Sequence, residues 1–135
     1  MKSYNKQETI KDHIDITLCT RDRPCELYGL LISIWQQTHK NFSIFILDDG
    51  SSTPITNFHF INSIVQRLRH EGHRVHLLRN DRSQGVSKSR QKIAEHALAH
   101  GRGELIARID DDCIIDPFYL EHCLEGISQG YDLMS

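Results

Sequence analysis

Asp110, Asp111 and Asp112 follow the apolar run Leu105 to Ile109 without a break. Adjacent carboxylates repel one another, so something must compensate them, either the solvent around a turn or a bound cation. Asp110 and Asp112 have the spacing that lets two carboxylates reach one hard divalent ion, and Mg²⁺ and Mn²⁺ prefer carboxylate oxygen. A second acidic pair, Asp48-Asp49, ends the apolar run FSIFIL and opens into Gly50-Ser51-Ser52. Thr20-Arg21-Asp22-Arg23 follows a third apolar run, IDITLC. Arg21, Arg82, Lys88 and Arg90 offer positive charge of the kind that meets a diphosphate. Each cluster also has an ordinary explanation. Acidic runs at strand ends are often solvated loops, DDGS is good turn chemistry, and a lone arginine on a helix is commonly a surface residue.

The surrounding elements decide whether these clusters can meet. Ile14–Cys19 reads as a strand. Leu27, Leu30, Leu31, Ile34 and Trp35 recur at helical spacing between Pro24 and about Gln37, with Asp22 as the expected cap. Phe42–Leu47 reads as a buried strand, Ile61 to Leu68 as a helix and Val75–Leu78 as a short strand. Ser87–His100 is a helix with Ile93, Ala94, Ala97 and Leu98 inward, ended by Gly101. Leu105–Ile109 is a fourth strand. Asp116-Pro117 opens a last helix whose Leu120, Cys123, Leu124 and Ile127 face inward, and YDLMS begins another strand.

This alternation predicts an α/β fold with an open, mainly parallel sheet and helices on both faces, a Rossmann-like arrangement. In such a sheet ligands sit beyond the C-terminal strand ends, where the strand order reverses. With order 3-2-1-4 the reversal falls between the first and fourth strands. The Thr20, Asp48 and Asp110 clusters then share one edge, and the loop after the third strand, beyond Arg79-Asn80, can fold back over the crevice. Residues 1–13 form a polar lead-in, 14–135 form the domain, and the sheet stops short of completion.

Composition narrows the class. The chain has 135 residues and a net charge of −2, which gives no bulk electrostatic case for nucleic acid or an anionic membrane. No apolar run approaches the roughly 20 residues of a membrane span, and the polar N-terminus lacks the apolar middle of a secretory signal. A cytoplasmic location is the expectation. Cys19, Cys25, Cys113 and Cys123 form no CxxC pair, so they read as free thiols. His70, His73 and His76 recur every third residue and His96 and His100 stand four apart. Either set could meet a metal, and a solvated helix face accounts equally well for the second.

CTRDRP, SIWQQTHKNFSIFILDDGSS and NDRSQGVSKSRQKIAEHALAHGRGELIARIDDDCIIDP, in this order and spacing, resemble the family 2 glycosyltransferases of GT-A fold. The resemblance runs from about Ile14 to the C-terminus. It implies an inverting hexosyltransferase-like enzyme that moves a sugar from a nucleotide diphosphate sugar, with a UDP-sugar favoured, to an acceptor hydroxyl, using Mn²⁺ or Mg²⁺. By position, Thr20 and Arg21 match the opening of the nucleotide pocket, and Asp49 the acid that hydrogen-bonds the base. Asp48 matches a residue that shapes that pocket, and Arg90 the arginine facing the donor. Asp110 to Asp112 match the DxD region. Asp112 is the foremost metal ligand, with Asp110 and Asp111 at the ribose or the ion's water shell. Gln91 and Lys88-Ser89 depart from the usual residues beside that arginine. The resemblance makes this chain the donor-binding half, so the catalytic base is expected beyond residue 135.

Two other readings compete. A phosphoacceptor receiver domain also has a parallel sheet and Mg²⁺-binding acids, but carries them after its first strand, where this chain has Thr20 and Arg21. A truncated, folded remnant or interaction module without turnover is the other. An unfinished sheet also leaves an exposed edge, a route to self-association.

Overall fold

The computed structural model describes residues 9–128. Its elements are β1 (Ile10–Thr20), α1 (Pro24–Trp35), β2 (Phe42–Asp49), a 3₁₀ turn (Ile55–Asn57), α2 (His59–His70), β3 (Val75–Asn80), α3 (Val86–His100), β4 (Gly103–Arg108) and α4 (Tyr119–Ser128). The described strands form one parallel sheet in the order β3-β2-β1-β4. This is the expected α/β, Rossmann-like arrangement with its reversal between β1 and β4. β3 and β4 each pair on one side only among the described strands.

Strand parity sorts the core into two layers, because alternate side chains point to opposite faces. Ile14, Ile16, Leu18, Ile44 and Ile46 pack with Leu27, Leu30, Leu31 and Ile34 of α1 and Ile61 and Leu68 of α2. Phe45 and Leu47 pack on the other face against Ile93 and Ala97 of α3. All eight residues of β2 are buried, as a central strand covered on both faces requires.

Several boundaries differ from the sequence reading. β1 begins at Ile10, inside the stretch expected to be a polar lead-in. β2 and β3 each run two residues further, to Asp49 and Asn80. β4 spans Gly103–Arg108 because buried Asp15 accepts a hydrogen bond from the Gly103 amide at 2.8 Å and stitches its start to β1. Asp22 does not cap α1. Arg23 holds the cap position, and Asp22 instead accepts the Ser52 amide at 2.7 Å. α4 begins at Tyr119 rather than at Pro117. Leu98 and Ile127 are exposed, not inward. His96 is half-buried rather than solvated, because it lies edge-on to Phe45 with ring centroids 5.8 Å apart. YDLMS lies outside the described residues.

A set of buried polar contacts fixes the chain that leaves β4. Gln37, fully buried, donates to the Asp116 carbonyl at 2.6 Å and accepts the Leu120 amide at 3.0 Å. Ser33 accepts the Ile115 amide at 3.2 Å. Ser33 of α1 and Gln37 just past its end thus hold residues 115–120 in place, and the acidic turn is suspended between that anchor and the end of β4.

Candidate functional site

A cavity of about 370 Å³ opens at the C-terminal edge of the sheet, where β1 and β4 lie side by side. Thr17 to Arg21 of the β1 end form one wall, and Arg108 to Asp111 form another. Ser83, Gly85 and the start of α3, including Ser89, Arg90 and Ile93, close the third side. Arg21 and Arg23 from the β1–α1 connection, Arg90 from α3 and Arg108 from β4 line this one space with Asp49, Asp110 and Asp111. Half-buried Cys19 also lines the wall, and burial pushes its thiol pKa up to about 11, so it is a poor nucleophile there.

The acidic run divides into two kinds of residue. Asp111 is buried, accepts the Thr20 hydroxyl at 2.9 Å and lies 3.4 Å from Arg23 Nη1. Burial raises its pKa against the opposing pull of Thr20 and Arg23. Asp110 and Asp112 are exposed. Arg90 Nη2 donates to Asp110 at 3.0 Å, and Arg23 Nη1 lies 3.6 Å from Asp112. One oxygen of Asp110, one of Asp112 and the sulfur of Cys113 lie within 4.8 Å of one another. This donor set fits a divalent ion, since carboxylate oxygens in a solvent-accessible turn are what hard cations take.

Asp49 closes the β2 end. It accepts Asn80 Nδ2 at 2.9 Å, the Ser83 hydroxyl at 2.9 Å, and the amides of Gln84 at 2.8 Å and Gly85 at 3.2 Å. Burial alone would raise its pKa, but the bonds from Asn80, Gln84, Ser83 and Ser89 outweigh burial and hold it at about 2. The loop after β3 therefore folds back onto the β2 end, as the topology suggested. Gly50 makes the approach possible: at φ +70°, an added Cβ would stand 2.5 Å from the Ser83 amide nitrogen. Lys92 completes the network by donating to the Asn80 side-chain oxygen at 2.6 Å.

Of the residues singled out from sequence, Thr20, Arg21, Asp49, Arg90, Asp110 and Asp111 reach the cavity wall. Asp48 does not. It points to the α1 and α2 face, where it accepts the Ser51 amide at 3.0 Å, the Ile55 amide at 3.1 Å and Arg79 Nη1 at 2.8 Å. Asp112 lies outside the cavity lining, with its carboxylate beside that of Asp110. Arg82 and Lys88 are exposed and stand outside the lining. Sequence reasoning named Arg23 in the cluster after the first strand and Cys113 among the free thiols without giving either a role in the site, and it passed over Arg108. Arg108 carried a signal, since it stands two residues before Asp110 and so shares its side of the chain.

The glycosyl transferase family 2 model matches residues 15–134. A Haemophilus influenzae protein described as an uncharacterized glycosyltransferase is 28% identical over 117 residues, which cover 87% of this chain and 35% of that protein. Among solved structures, S. aureus TarS residues 1–349 in complex with UDP-GlcNAc superposes with a TM-score of 0.69 at 20% identity, over 87% of this chain and 31% of that one. The mannosyltransferase PcManGT from Pyrobaculum calidifontis, in complex with GDP-Man and Mn²⁺, superposes with a TM-score of 0.64 at 14% identity, over 92% of this chain and 35% of that one. At these identities the solved structures establish the shared GT-A fold. The chain spans about a third of the length of each of these relatives. No helix among the described residues is long and apolar enough to cross a membrane. The sequence motifs, the sheet with its reversal and a family match over nearly the whole chain agree, and this chain belongs to glycosyl transferase family 2.

Proposed function

We propose that this chain forms the donor-binding part of a glycosyltransferase that moves a sugar from a nucleotide diphosphate sugar to an acceptor hydroxyl, with inversion and with Mn²⁺ or Mg²⁺. The observation that carries the reading is the convergence of arginines from the β1–α1 connection, α3 and β4 on one cavity lined by Asp110, whose carboxylate stands beside that of Asp112. Arginine is the side chain best matched to phosphate oxygens, through its planar fork of donors.

In this reading Asp110 and Asp112 hold the divalent ion, which supplies positive charge to the diphosphate and to the charge it gains on leaving. Arg90 and Arg23 are paired with those carboxylates here. Once the carboxylates are otherwise occupied, both guanidinium groups are released to donate to phosphate oxygens. Thr20 and Arg21 border the nucleotide. Asp111 braces the turn through Thr20 rather than contacting ribose. Asp49 holds the loop of Ser83 to Gly85 that walls the pocket, and Asp48 shapes the pocket indirectly by fixing the chain from Ser51 to Ile55. No base is assigned among the described residues, because the pocket's acids are committed to the ion, to Thr20 or to the loop. UDP is the favoured nucleotide; the fold relatives hold UDP-GlcNAc in one case and GDP-Man in another.

Calorimetric titration of UDP with and without Mn²⁺, on the wild type and on Asp112→Asn, tests the reading. Binding that requires Mn²⁺ and is lost in the variant is the expected result. If UDP, GDP and dTDP all fail to bind, with or without Mn²⁺, the chain is a folded module without a donor site.

A further inference from the structure

Cys113 follows the acidic turn directly, and its position is set by the backbone. Its amide donates to the Asp110 carbonyl at 3.1 Å, which closes the turn. Asp111 is drawn inward by Thr20, so the accessible donors of the turn are an oxygen of Asp110, an oxygen of Asp112 and the sulfur of Cys113. All three lie within 4.8 Å of one another, and none is buried. Donors bound to one ion through bonds of about 2.0–2.3 Å stand no more than about 4.5 Å apart. The separation of these three donors is close to that limit.

The chemistry of that set differs from a pair of carboxylates. Mg²⁺ demands oxygen ligands and gives up its water reluctantly. Thiolate is a soft ligand that favours later and softer divalent ions. We propose that Cys113 is a third protein ligand of the ion held by Asp110 and Asp112, and that its sulfur tilts the site away from Mg²⁺ toward Mn²⁺, Co²⁺ and Zn²⁺. This rests on the reading that the acidic turn holds a divalent ion. On ligation the thiol proton passes to the buffer as the metal–sulfur bond forms.

Co²⁺ is the probe, because thiolate ligation gives it an intense near-ultraviolet charge-transfer band that oxygen ligation lacks. The chain is titrated with Co²⁺, alone and with UDP, under a phosphine reductant that does not itself supply a thiol. Wild type and Cys25→Ser are expected to show the band, and Cys113→Ser to lose it while still binding Mn²⁺ by calorimetry. Competition with Mg²⁺ should show the preference for Co²⁺ falling by about tenfold or more in Cys113→Ser, an order of magnitude set by ligand softness. Co²⁺ binding that Asp112→Asn abolishes, but with no charge-transfer band, overturns the role of Cys113 and leaves the carboxylate site standing. An unchanged Co²⁺ preference in Cys113→Ser does the same. Failure of the wild type to bind Co²⁺ or Mn²⁺, with or without UDP, overturns both the inference and the ion site on which it rests.

Discussion

The Thr20 hydroxyl donates a 2.9 Å hydrogen bond to the Asp111 carboxylate, joining the end of β1 to the acidic turn across the point where the strand order reverses. Both residues are buried. A buried carboxylate that loses a partner keeps its desolvation cost and loses the compensation. Thr20→Val, nearly the same shape, should therefore lower stability by about 1–3 kcal/mol in urea unfolding. Thr20→Ser should recover most of it. Equal stability of the valine and serine variants would show that this bond does not brace the turn.

Asp49 predicts an acid limb. Its carboxyl titrates at about 2 in the folded chain, against an ordinary 3.8. A depressed folded pKa means the unfolded chain binds the proton more readily, so the contribution is fully present above 3.8 and is lost as pH falls toward 2. The shift corresponds to about 2 kcal/mol. Asp49→Asn should cost a similar amount at neutral pH and flatten the stability profile across that window. Gly50→Ala should destabilise too, because its φ of +70° and the nearby Ser83 amide both resist a side chain. An Asp49→Asn variant with the wild-type acid limb would assign the limb to other carboxylates.

Arg90 separates binding from stability. Its bond to Asp110 is made on an exposed pair, which is worth about 0–1 kcal/mol. Arg90→Ala should thus melt close to wild type. If Arg90 donates to the diphosphate, as proposed, the same substitution should weaken Mn²⁺-dependent UDP binding roughly ten- to a hundredfold, from about 1.5–3 kcal/mol for a hydrogen bond to a charged group. Unchanged affinity would place Arg90 outside the donor contacts.

The sheet and its reversal were legible because short apolar runs alternate with amphipathic helices, and that pattern allows few topologies. The meeting of the Thr20, Asp49 and Asp110 clusters follows from topology alone. Which of two neighbouring acids faces the cavity did not follow. Asp49 shares its side of β2 with Leu47 and Phe45, the face covered by α3, whereas Asp48 shares the other side with Ile46. Only knowledge of which helix covers which face assigns the pocket to Asp49. Likewise, nothing in the run of three aspartates says that the middle one turns inward. That depends on Thr20, distant in sequence, and on the anchor that Gln37 and Ser33 give to residues 115–120.

The histidines outside the cavity make a prediction of opposite pH range. His76 stacks on Phe45 with ring centroids 4.4 Å apart, and His96 lies edge-on to His76 at 5.7 Å. His100 stands 4.4 Å from His96. Burial, reinforced by the neighbouring histidines and by Arg74 and Arg69, lowers the pKa of His76, and burial with His100 lowers that of His96. The folded chain then holds fewer protons than the unfolded chain below the ordinary value of 6.5. Their contribution is complete above that pH and declines as pH falls through and below it. His13 and His73, also lowered by burial, act with the same sign. Urea unfolding from pH 7.5 down to 5 should therefore show a steady loss of stability, and a His76→Phe, His96→Leu double variant should reduce the slope without removing it. An unchanged slope in that variant would assign the loss to His13 and His73 instead.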